Sequence, residues 1–525
     1  MANKVIGARE AIDWIKDGDT LGVTGAGLRG TPEYLLKTLE DKFHEAKSPR
    51  DLTLFSVVGH GAFDNRGDAR VAYPGLLKRF IGTHPDTCIR LREMIGRNEC
   101  EAYIFPQGPQ MQLLRAIAEK GPGFLTKIGI GTYVDPRIEG AKCNDKAKAA
   151  EDLIEVVNLR GEEWLLFKSM PIDVAFIRGT TADENGNLSI EHECNWLEVF
   201  ELANAVKSSG GKVIVQVKRV VKNGSIHPHH VVLPGVLVDA VVICEDWEHY
   251  HMMNDAVAFN EAFTGNYRVP TGAMAAPKET ISARDAILRR AAMELWPGAV
   301  VNMGFGITGG VGEVAEAEGL IESLTLTVEL GLFGGMPGKF PNFGAVINAE
   351  AFISMSNMFN YYHAGNLEIC FLGSAQVDAH GSSNVSKFGS RVVGPGGFID
   401  ITTCTPNVVI CLPFTSKGLE EEVAGGKLVI KQEGKIKKFV NTLDQVSFNG
   451  EIASKNGKKV TYITERGVFK LLDGQLTLTE IAPGVDLEKD ILANMEFRPV
   501  ISPDLKLIDE RVFRPGRMNC FELDQ

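Results

Sequence analysis

The chain has 525 residues, of which 44% are apolar and 23% are charged, and its formal net charge is −12. This length exceeds what one hydrophobic core usually holds, so we expect more than one domain. The acidic balance argues against a nucleic-acid partner, because no basic block offsets it. No run of about 18 apolar residues is present, so the sequence predicts no membrane-spanning helix and no membrane partner.

Cysteine usage and the N-terminus indicate a compartment. The 9 cysteines are spread along the chain without a CxxC pair, which is typical of reduced, buried thiols. The opening residues, MANKVIGAREAIDWIKDGD, carry acids where a secretion signal would have its apolar segment. We therefore expect a cytoplasmic protein. A protein that had lost an organellar presequence would look the same.

Apolar, strand-like runs alternate with helical patterns from the N-terminus onward. Such alternation predicts an α/β fold with mostly parallel sheets. The predicted strands cover 20–27, 52–58, 102–108, 174–180, 212–217 and 239–244, and two of the clearest helical patterns are 31–43 and 196–206.

The chain repeats part of itself. An amphipathic helix, a turn, an apolar strand and a glycine turn occur at 8–30 and again at 283–309. A strand that breaks into an Asp/Gly turn occurs at 173–189 and again at 368–386. Two segments that recur in the same order predict tandem related domains. The Pro-, Gly- and Ala-rich stretch between them is the best linker, so we predict domains at 1–269 and 283–525 joined by 270–282. After about residue 410, short strands and Gly turns predict a β-rich elaboration of the second domain.

Gly25, Gly27 and Gly30 have the GxGxxG spacing of a dinucleotide site. Such a site also needs an acid at the end of a strand about 20 residues further on. The sequence there, LEDKFHEAKSPRD, is helical and then turn-like. We therefore favour a tight turn that lets some other ligand approach the backbone.

Three further patterns could carry chemistry. Glu329 directly follows an apolar strand and precedes a glycine-rich loop, which would leave space for a substrate. PQG at 106–108 ends the strand-like run 102–108, which would point the Gln107 amide outward at the edge of a sheet. GPGGF at 394–398 offers unobstructed backbone N–H groups for an oxyanion. Taken singly, each also fits a bland interpretation: a solvated strand end, a turn and an ordinary glycine loop.

The sequence gives little support for a metal site or for a catalytic serine nucleophile. The histidines at 227, 229 and 230 fall in an extended loop with no Cys or carboxylate at ligand spacing, and we predict no metal site. No GxSxG motif is present for a serine nucleophile.

These motifs together resemble family I coenzyme A transferases. DGDTLGVTGAGLRGTP at 17–32 is similar to the N-terminal signature of that family, with Thr24 and Ala26 where Gly and Phe are usual. Val328-Glu329-Leu330-Gly331 replaces the common Ser-Glu-Asn-Gly and resembles the branch of propionate and acetate CoA-transferases. GIGTYVDPR (129–137) and VGPGGFIDI (393–401) resemble the same branch, and the similarity runs from about residue 5 to 503.

The resemblance implies a reaction and roles. Glu329 matches the catalytic glutamate, and Gln107 with the backbone of Gly396 or Gly397 matches the groups that hold the thioester oxygen. The family fold has two related α/β domains with coenzyme A (CoA) reaching Glu329 between them. CoA is a substrate, so no metal or other cofactor is expected. A homodimer or homotetramer is implied.

Substrate range is the open part of this prediction. Gly27 and Gly30 in the glycine turn are possible CoA contacts, and the mixed segment 352–366 contains Asn357, Tyr361 and His363 as possible acyl-pocket contacts. Its apolar character favours short monocarboxylic acids such as acetate, propionate or butyrate. Two alternatives stay open: an acyl-CoA thioesterase that uses the same Glu, and a non-catalytic ligand sensor on the same fold.

Overall fold

The computed structural model describes residues 4–270, 278–304, 306–339 and 341–521. Its α-helices alternate with strands along most of the chain, as the sequence predicts. They are α1 Ala8–Ile12, α2 Glu33–Ala46, α3 Ile89–Gly96, α4 Gln107–Ala118, α5 Asp145–Lys148, α6 Val199–Ser208, α7 Trp247–Tyr250, α8 Ala283–Ala292, α9 Gly310–Ala317, α10 Met355–His363, α11 Phe398–Cys404 and α12 Gly450–Lys455.

The N-terminal half builds a parallel sheet of seven strands, ordered β7-β6-β5-β1-β2-β3-β4. Its interior strands are rich in Val, Ile, Leu and Phe and are buried, as expected where helices cover a parallel sheet. The strands are β1 Thr20–Val23, β2 Leu52–Ser56, β3 Leu77–Gly82, β4 Glu101–Ile104, β5 Val174–Arg178, β6 Lys212–Val217 and β7 Ala240–Ile243.

The C-terminal half builds a mixed sheet of ten strands, ordered β11-β10-β9-β8-β12-β13-β14-β15-β16-β17. The five strands from β9 to β14 in that order are parallel, and antiparallel pairs flank them. The strands are β8 Val300–Met303, β9 Thr325–Val328, β10 Leu332–Phe333, β11 Ala351–Phe352, β12 Ile369–Gly373, β13 Asn407–Cys411, β14 Lys459–Ile463, β15 Gly467–Leu472, β16 Gln475–Ile481 and β17 Val500–Leu507.

Short strands complete the architecture around the two large sheets. They form two- and three-stranded ribbons. These are Gly123–Thr126 with Ile154–Leu159 and Glu162–Lys168; Thr181–Asp183 with Leu188–Ser189 and Arg219–Val221; Met336–Pro337 with Val346–Ile347; Gln376–Val377 with Ser383–Asn384; Lys387–Phe388 with Arg391–Val392; Thr415–Ser416 with Ile436–Lys437; and Glu420–Ala424 with Lys427–Gln432.

The two sheets share one topology, which confirms the predicted tandem α/β architecture. The order β7-β6-β5-β1-β2 in the first half corresponds to β14-β13-β12-β8-β9 in the second. An amphipathic helix precedes the central strand in each half, α1 before β1 and α8 before β8. The carboxyl ends of β1 and β8 are therefore equivalent positions in the two domains.

The predicted β-rich region is also present, with one difference. Hairpins close at Gly425–Gly426 and at Gly474, where glycines adopt positive φ. Strand β14, however, pairs in parallel with β13 and belongs to the central sheet. The elaboration therefore begins after β13, with the short strand Thr415–Ser416, and resumes at β15.

One element boundary differs from the sequence prediction, and another cannot be compared with it. The predicted strand 102–108 ends at Ile104, and Gln107 is the first residue of α4, not a residue at an outward-facing strand end. Pro106 explains this, because its fixed φ of −64° suits the residue that precedes a helix. The predicted linker 270–282 overlaps residues 271–277, which lie outside the described residues. The domain boundaries therefore stay a prediction.

The two halves pack directly against each other. The Met355 N–H donates to the Leu197 carbonyl at 3.0 Å, and the Tyr133 N–H donates to the Val446 carbonyl at 2.9 Å. One hydrophobic core cluster includes residues of both halves. Within the described ranges, no helix is long and apolar enough to cross a membrane.

Candidate active site

Glu329 lies in the turn between β9 and β10, directly after the last buried residue of β9. The residue is half-buried and lines a cavity. Gly331 makes this turn possible: its φ is +101°, and a Cβ there would lie 2.1 Å from the Ile353 carbonyl oxygen. The chain therefore holds the carboxylate at a fixed point of the cavity wall.

Burial raises the pKa of Glu329 above its usual range. Three interactions oppose this effect: a hydrogen bond with its own backbone, a hydrogen bond from the Asn302 side chain, and the positive charge of Arg29. Loss of hydration destabilises an ionised carboxylate, and it also makes the carboxylate a stronger nucleophile toward a carbonyl carbon.

Asn302 was not predicted as a site residue, and it lies on β8 beside Glu329. Its Nδ2 donates to the Thr327 carbonyl and to the Tyr362 hydroxyl, each at 3.3 Å. Its buried Oδ1 has no hydrogen-bond partner among the described residues. A polar Asn inside the apolar run VVNM is the sequence signal that could have identified it.

Gln107 approaches the same cavity from the other half of the protein. It is buried at the start of α4, and its backbone N–H donates to the Gly396 carbonyl at 3.2 Å. Its side-chain Nε2 lies 3.0 Å from the Met355 sulfur, a weak acceptor. This amide is therefore available for a stronger acceptor in the cavity.

Gly396 and Gly397 form the bend that leads into α11. Gly396 has a φ of +54°, which a residue with a side chain rarely adopts. A Cβ at Gly397 would lie 3.5 Å from Gln107 Oε1, so the two predicted donors are neighbours across the interface between the halves. The structure thus brings together Gln107, Gly396 and Gly397 at the cavity that Glu329 lines.

The cavity has a volume of about 410 Å³, within the range of small-molecule sites. Its walls are mainly glycines and apolar side chains drawn from both halves. They include Val58, Gly59, Phe63, Leu330, Phe343, Leu372, Val385, Phe388, Val393 and Phe398. A wall of this kind suits a slender, uncharged ligand or part of a ligand.

The glycine turn after β1 contributes one of its two predicted contacts. Gly27 lines the cavity, and Arg29 and Asp255 lie beside it. Gly30 does not line the cavity, because its Cα faces the Leu197 side chain, 2.3 Å from where a Cβ would be. Arg29 was not predicted as a site residue, although a charged residue in the middle of a glycine turn is a sequence signal that could have identified it.

Asn357, Tyr361 and His363 do not line this cavity, in contrast to the prediction. They lie on α10, where Asn357 is exposed and accepts a hydrogen bond from Arg115, and Tyr361 donates to the Asn366 carbonyl. His363 Nε2 lies 2.9 Å from the buried Asp400 carboxylate. Helix α10 instead directs Met355 toward Gln107 and Tyr362 toward Asn302, which is why position in sequence was misleading.

Among the described residues, no group of three or more His, Cys, Asp or Glu side chains could hold a metal ion.

A family model for coenzyme A transferases matches residues 5–243. The caffeate CoA-transferase of Acetobacterium woodii is 43% identical over 515 residues, which span 97% of both chains. The chain therefore belongs to the coenzyme A transferase family, and it is a CoA-transferase.

Other relatives agree with this assignment. The acetate CoA-transferase YdiF of Escherichia coli O157:H7 is 42% identical over 98% of this chain and 96% of its own. Its crystal structure superposes with a TM-score of 0.92, covering 99% of this chain and 97% of that one. A second structure of YdiF is a thioester complex with CoA, with the same TM-score of 0.92.

Proposed function

We propose that this enzyme moves CoA from a short-chain acyl-CoA to a different carboxylic acid, through a thioester formed on Glu329. The observation that carries this proposal is the position of Glu329 on the cavity wall, with Gln107 and Gly396–Gly397 on the same cavity. A nucleophile and a set of oxyanion donors are the two parts that acyl transfer requires.

The first half-reaction takes CoA from the donor. The Glu329 carboxylate attacks the thioester carbonyl, expels CoA thiolate and forms a mixed acyl–glutamyl anhydride. The thiolate then attacks the Glu329 carbonyl of this anhydride. A glutamyl-CoA thioester forms, and the donor acid leaves as its carboxylate.

The second half-reaction runs the same steps with a new acid. Its carboxylate attacks the glutamyl-CoA carbonyl, which again gives an anhydride and CoA thiolate. The thiolate attacks the acyl carbonyl, so a new acyl-CoA leaves and the Glu329 carboxylate is restored. Each attack places negative charge on a carbonyl oxygen, where the Gln107 amide and the Gly397 N–H would donate; one such donor is typically worth about 3 kcal/mol.

The acid is proposed to be a short monocarboxylic acid such as acetate, propionate or butyrate. The mainly apolar cavity wall supports this class, since an uncharged acyl tail loses little hydration there. CoA enters as a substrate, so the proposal needs no metal or other cofactor. A homodimer or homotetramer is part of the same proposal.

Trapping the covalent intermediate tests the proposal. Incubation with acetyl-CoA and no acceptor acid should add the mass of CoA to the protein, less one water, on the peptide that contains Glu329. Borohydride should discharge this adduct. Glu329→Gln and Glu329→Ala should keep the fold, form no adduct and lose turnover by about 10⁴-fold or more.

The two alternatives give different results. A thioesterase would release free CoA at the same steady rate with and without an acceptor acid, whereas a transferase needs the acceptor for turnover. A ligand sensor would show no turnover, and its binding of acyl-CoA would survive Glu329→Ala. Retained activity in Glu329→Gln would remove Glu329 from its proposed role.

A further inference from the structure

Charges on the cavity wall are few and unevenly placed. Among the described lining residues, Arg29 is the only Lys or Arg, whereas Glu329 and Asp255 are both acids. His84 also lines the cavity, and burial lowers its pKa, so it is neutral near pH 7. Arg29 therefore supplies the one permanent positive charge that these residues offer to a negatively charged substrate.

That positive charge is already engaged. Arg29 Nη2 lies 3.2 Å from Asp255 Oδ2, and Arg29 Nη1 donates to the Ala26 carbonyl at 2.8 Å. The exposed fractions of the two side chains are 6% for Arg29 and 14% for Asp255. An ion pair with so little solvent keeps most of its Coulomb interaction, so Asp255 largely cancels the charge of Arg29.

The pair is close to the reacting carboxylate. A Cβ at Gly344 would lie 3.1 Å from Arg29 Nε and 2.8 Å from the side chain of Leu330, which follows Glu329. Arg29 Nε is buried and has no hydrogen-bond partner among the described residues. Arg29, Asp255 and Glu329 line the same cavity, so the acyl tail of an acid bound at Glu329 can extend toward the pair.

The backbone around the pair is fixed. Asp255 Oδ1 accepts the Leu28 N–H at 2.8 Å, which ties it to the glycine turn. The buried Arg178 donates to the Leu28 and Met252 carbonyls at 3.0 Å and 2.9 Å. The same guanidinium therefore holds the glycine turn and the segment just before Asp255. The pair cannot open to admit a charged group without disturbing this network.

We propose that the Arg29–Asp255 ion pair selects the charge of the acid, admitting monocarboxylic acids and rejecting acids with a second carboxylate. This inference rests on the proposed function. A distal carboxylate placed here would meet Asp255 at close range, and Asp255 already neutralises most of the charge of Arg29, while an uncharged tail would meet only the closed ion pair.

The wild-type enzyme allows a first test. Succinate and its monomethyl ester differ in whether the distal carboxylate is charged. As acceptors with acetyl-CoA, the monomethyl ester should have a kcat/KM at least tenfold above that of succinate. Equal values, or a preference for succinate, would overturn the inference.

Asp255→Asn gives the second test, because it removes the charge and keeps the oxygen that accepts the Leu28 N–H. The ratio of kcat/KM for succinate to that for propionate should rise at least tenfold. In the double variant Asp255→Asn/Arg29→Gln this gain should disappear, since the freed cation is gone. Asp41→Asn, which breaks the surface pair Lys37–Asp41, is the matched control and should leave the ratio unchanged.

Adduct formation on Glu329 distinguishes a failure of the proposed function from a failure of the inference about the ion pair. If the wild-type enzyme forms no glutamyl-CoA, the proposed function is wrong. If wild type and Asp255→Asn both form it and the ratio does not move, the ion pair has no role in selection. A gain that persists in the double variant would also overturn the inference, because Arg29 would then not bind the second carboxylate.

Discussion

The carboxylate of Asp400 accepts a hydrogen bond of 3.2 Å from the backbone N–H of Gly108, although these residues lie 292 positions apart. Gly108 directly follows Gln107, and Asp400 lies in the first turn of α11, just after Gly397. Asp400 is fully buried, and its other carboxylate oxygen lies 2.9 Å from His363 Nε2. One contact therefore fixes the position of one predicted oxyanion donor relative to the other.

Replacing Asp400 by Ala should lower kcat and leave KM within about threefold. The loss should reach about 100-fold, since a misplacement of about 1 Å in a reacting group can cost that much. Asp400→Asn should recover much of the activity, because its amide oxygen still accepts the Gly108 N–H. Steady-state kinetics and thermal melting of both variants test this.

Equal losses in Asp400→Ala and Asp400→Asn would argue against this positioning role and for one that requires the charge. A fall in melting temperature with unchanged kcat would show that Asp400 acts on stability alone.

Gln107→Ala should lower kcat by about 10²- to 10³-fold with little change in KM, the usual cost of losing one oxyanion donor. Gln112→Ala is a matched control. Gln112 is another buried residue of α4, and its Nε2 also donates to the other half, to the Ser356 carbonyl at 3.1 Å. Similar kcat losses in the two variants would show that packing between the halves, and not oxyanion binding, explains the effect of Gln107.

Much of the fold could be predicted from sequence, because hydrophobic periodicity and the internal repeat are local signals. The apolar runs at 174–178 and 212–217 form interior strands of the first sheet, β5 and β6. Glu329 and the glycine loop could be proposed for the same reason: each is a break in a strong local pattern.

The missed site residues depend on contacts between distant segments. Asp255 lines the cavity and pairs with Arg29, 226 positions away, and no residue near Asp255 in the sequence indicates that partner. His363 was placed in the acyl pocket from its position in sequence, but the helix turns it toward Asp400. Side-chain direction around α10 follows from tertiary packing, which a single sequence does not contain.

Mild acid should reduce activity. The nucleophile must be ionised, and burial raises the pKa of Glu329 above the ordinary value of 4.5. The rate of adduct formation should therefore fall with decreasing pH while the pH is still above 4.5. Single-turnover rates between about pH 4.5 and 8 measure this. An inflection below 4.5 would contradict a desolvated carboxylate.

The same raised pKa predicts a stability change. Between the unfolded and folded pKa values the native state binds more protons than the unfolded state, so stability falls as the pH rises through that window. Glu329→Gln removes this cost. It should melt at an equal or higher temperature than wild type at pH 7.5, with the difference shrinking toward pH 4.5.

Glu198, which lies behind the glycine turn, also has a pKa that burial raises. It is fully buried, its Oε1 accepts the Gly25 N–H at 3.0 Å, and its Oε2 has no partner among the described residues. Burial raises its pKa to about 8, against the opposing charge of His60. Glu198 therefore carries a proton at neutral pH.

Because the folded pKa lies above the unfolded value of 4.5, the contribution of Glu198 to stability is full below 4.5 and is lost as pH rises toward 8. Glu198→Gln keeps the acceptor for Gly25 and cannot ionise. The fall in melting temperature between pH 6 and pH 9 should therefore be smaller in this variant than in wild type, by at least about 2 °C. Other buried acids titrate alike in both proteins and cancel in the comparison. Identical falls would mean that Glu198 is already ionised in the native protein at pH 6.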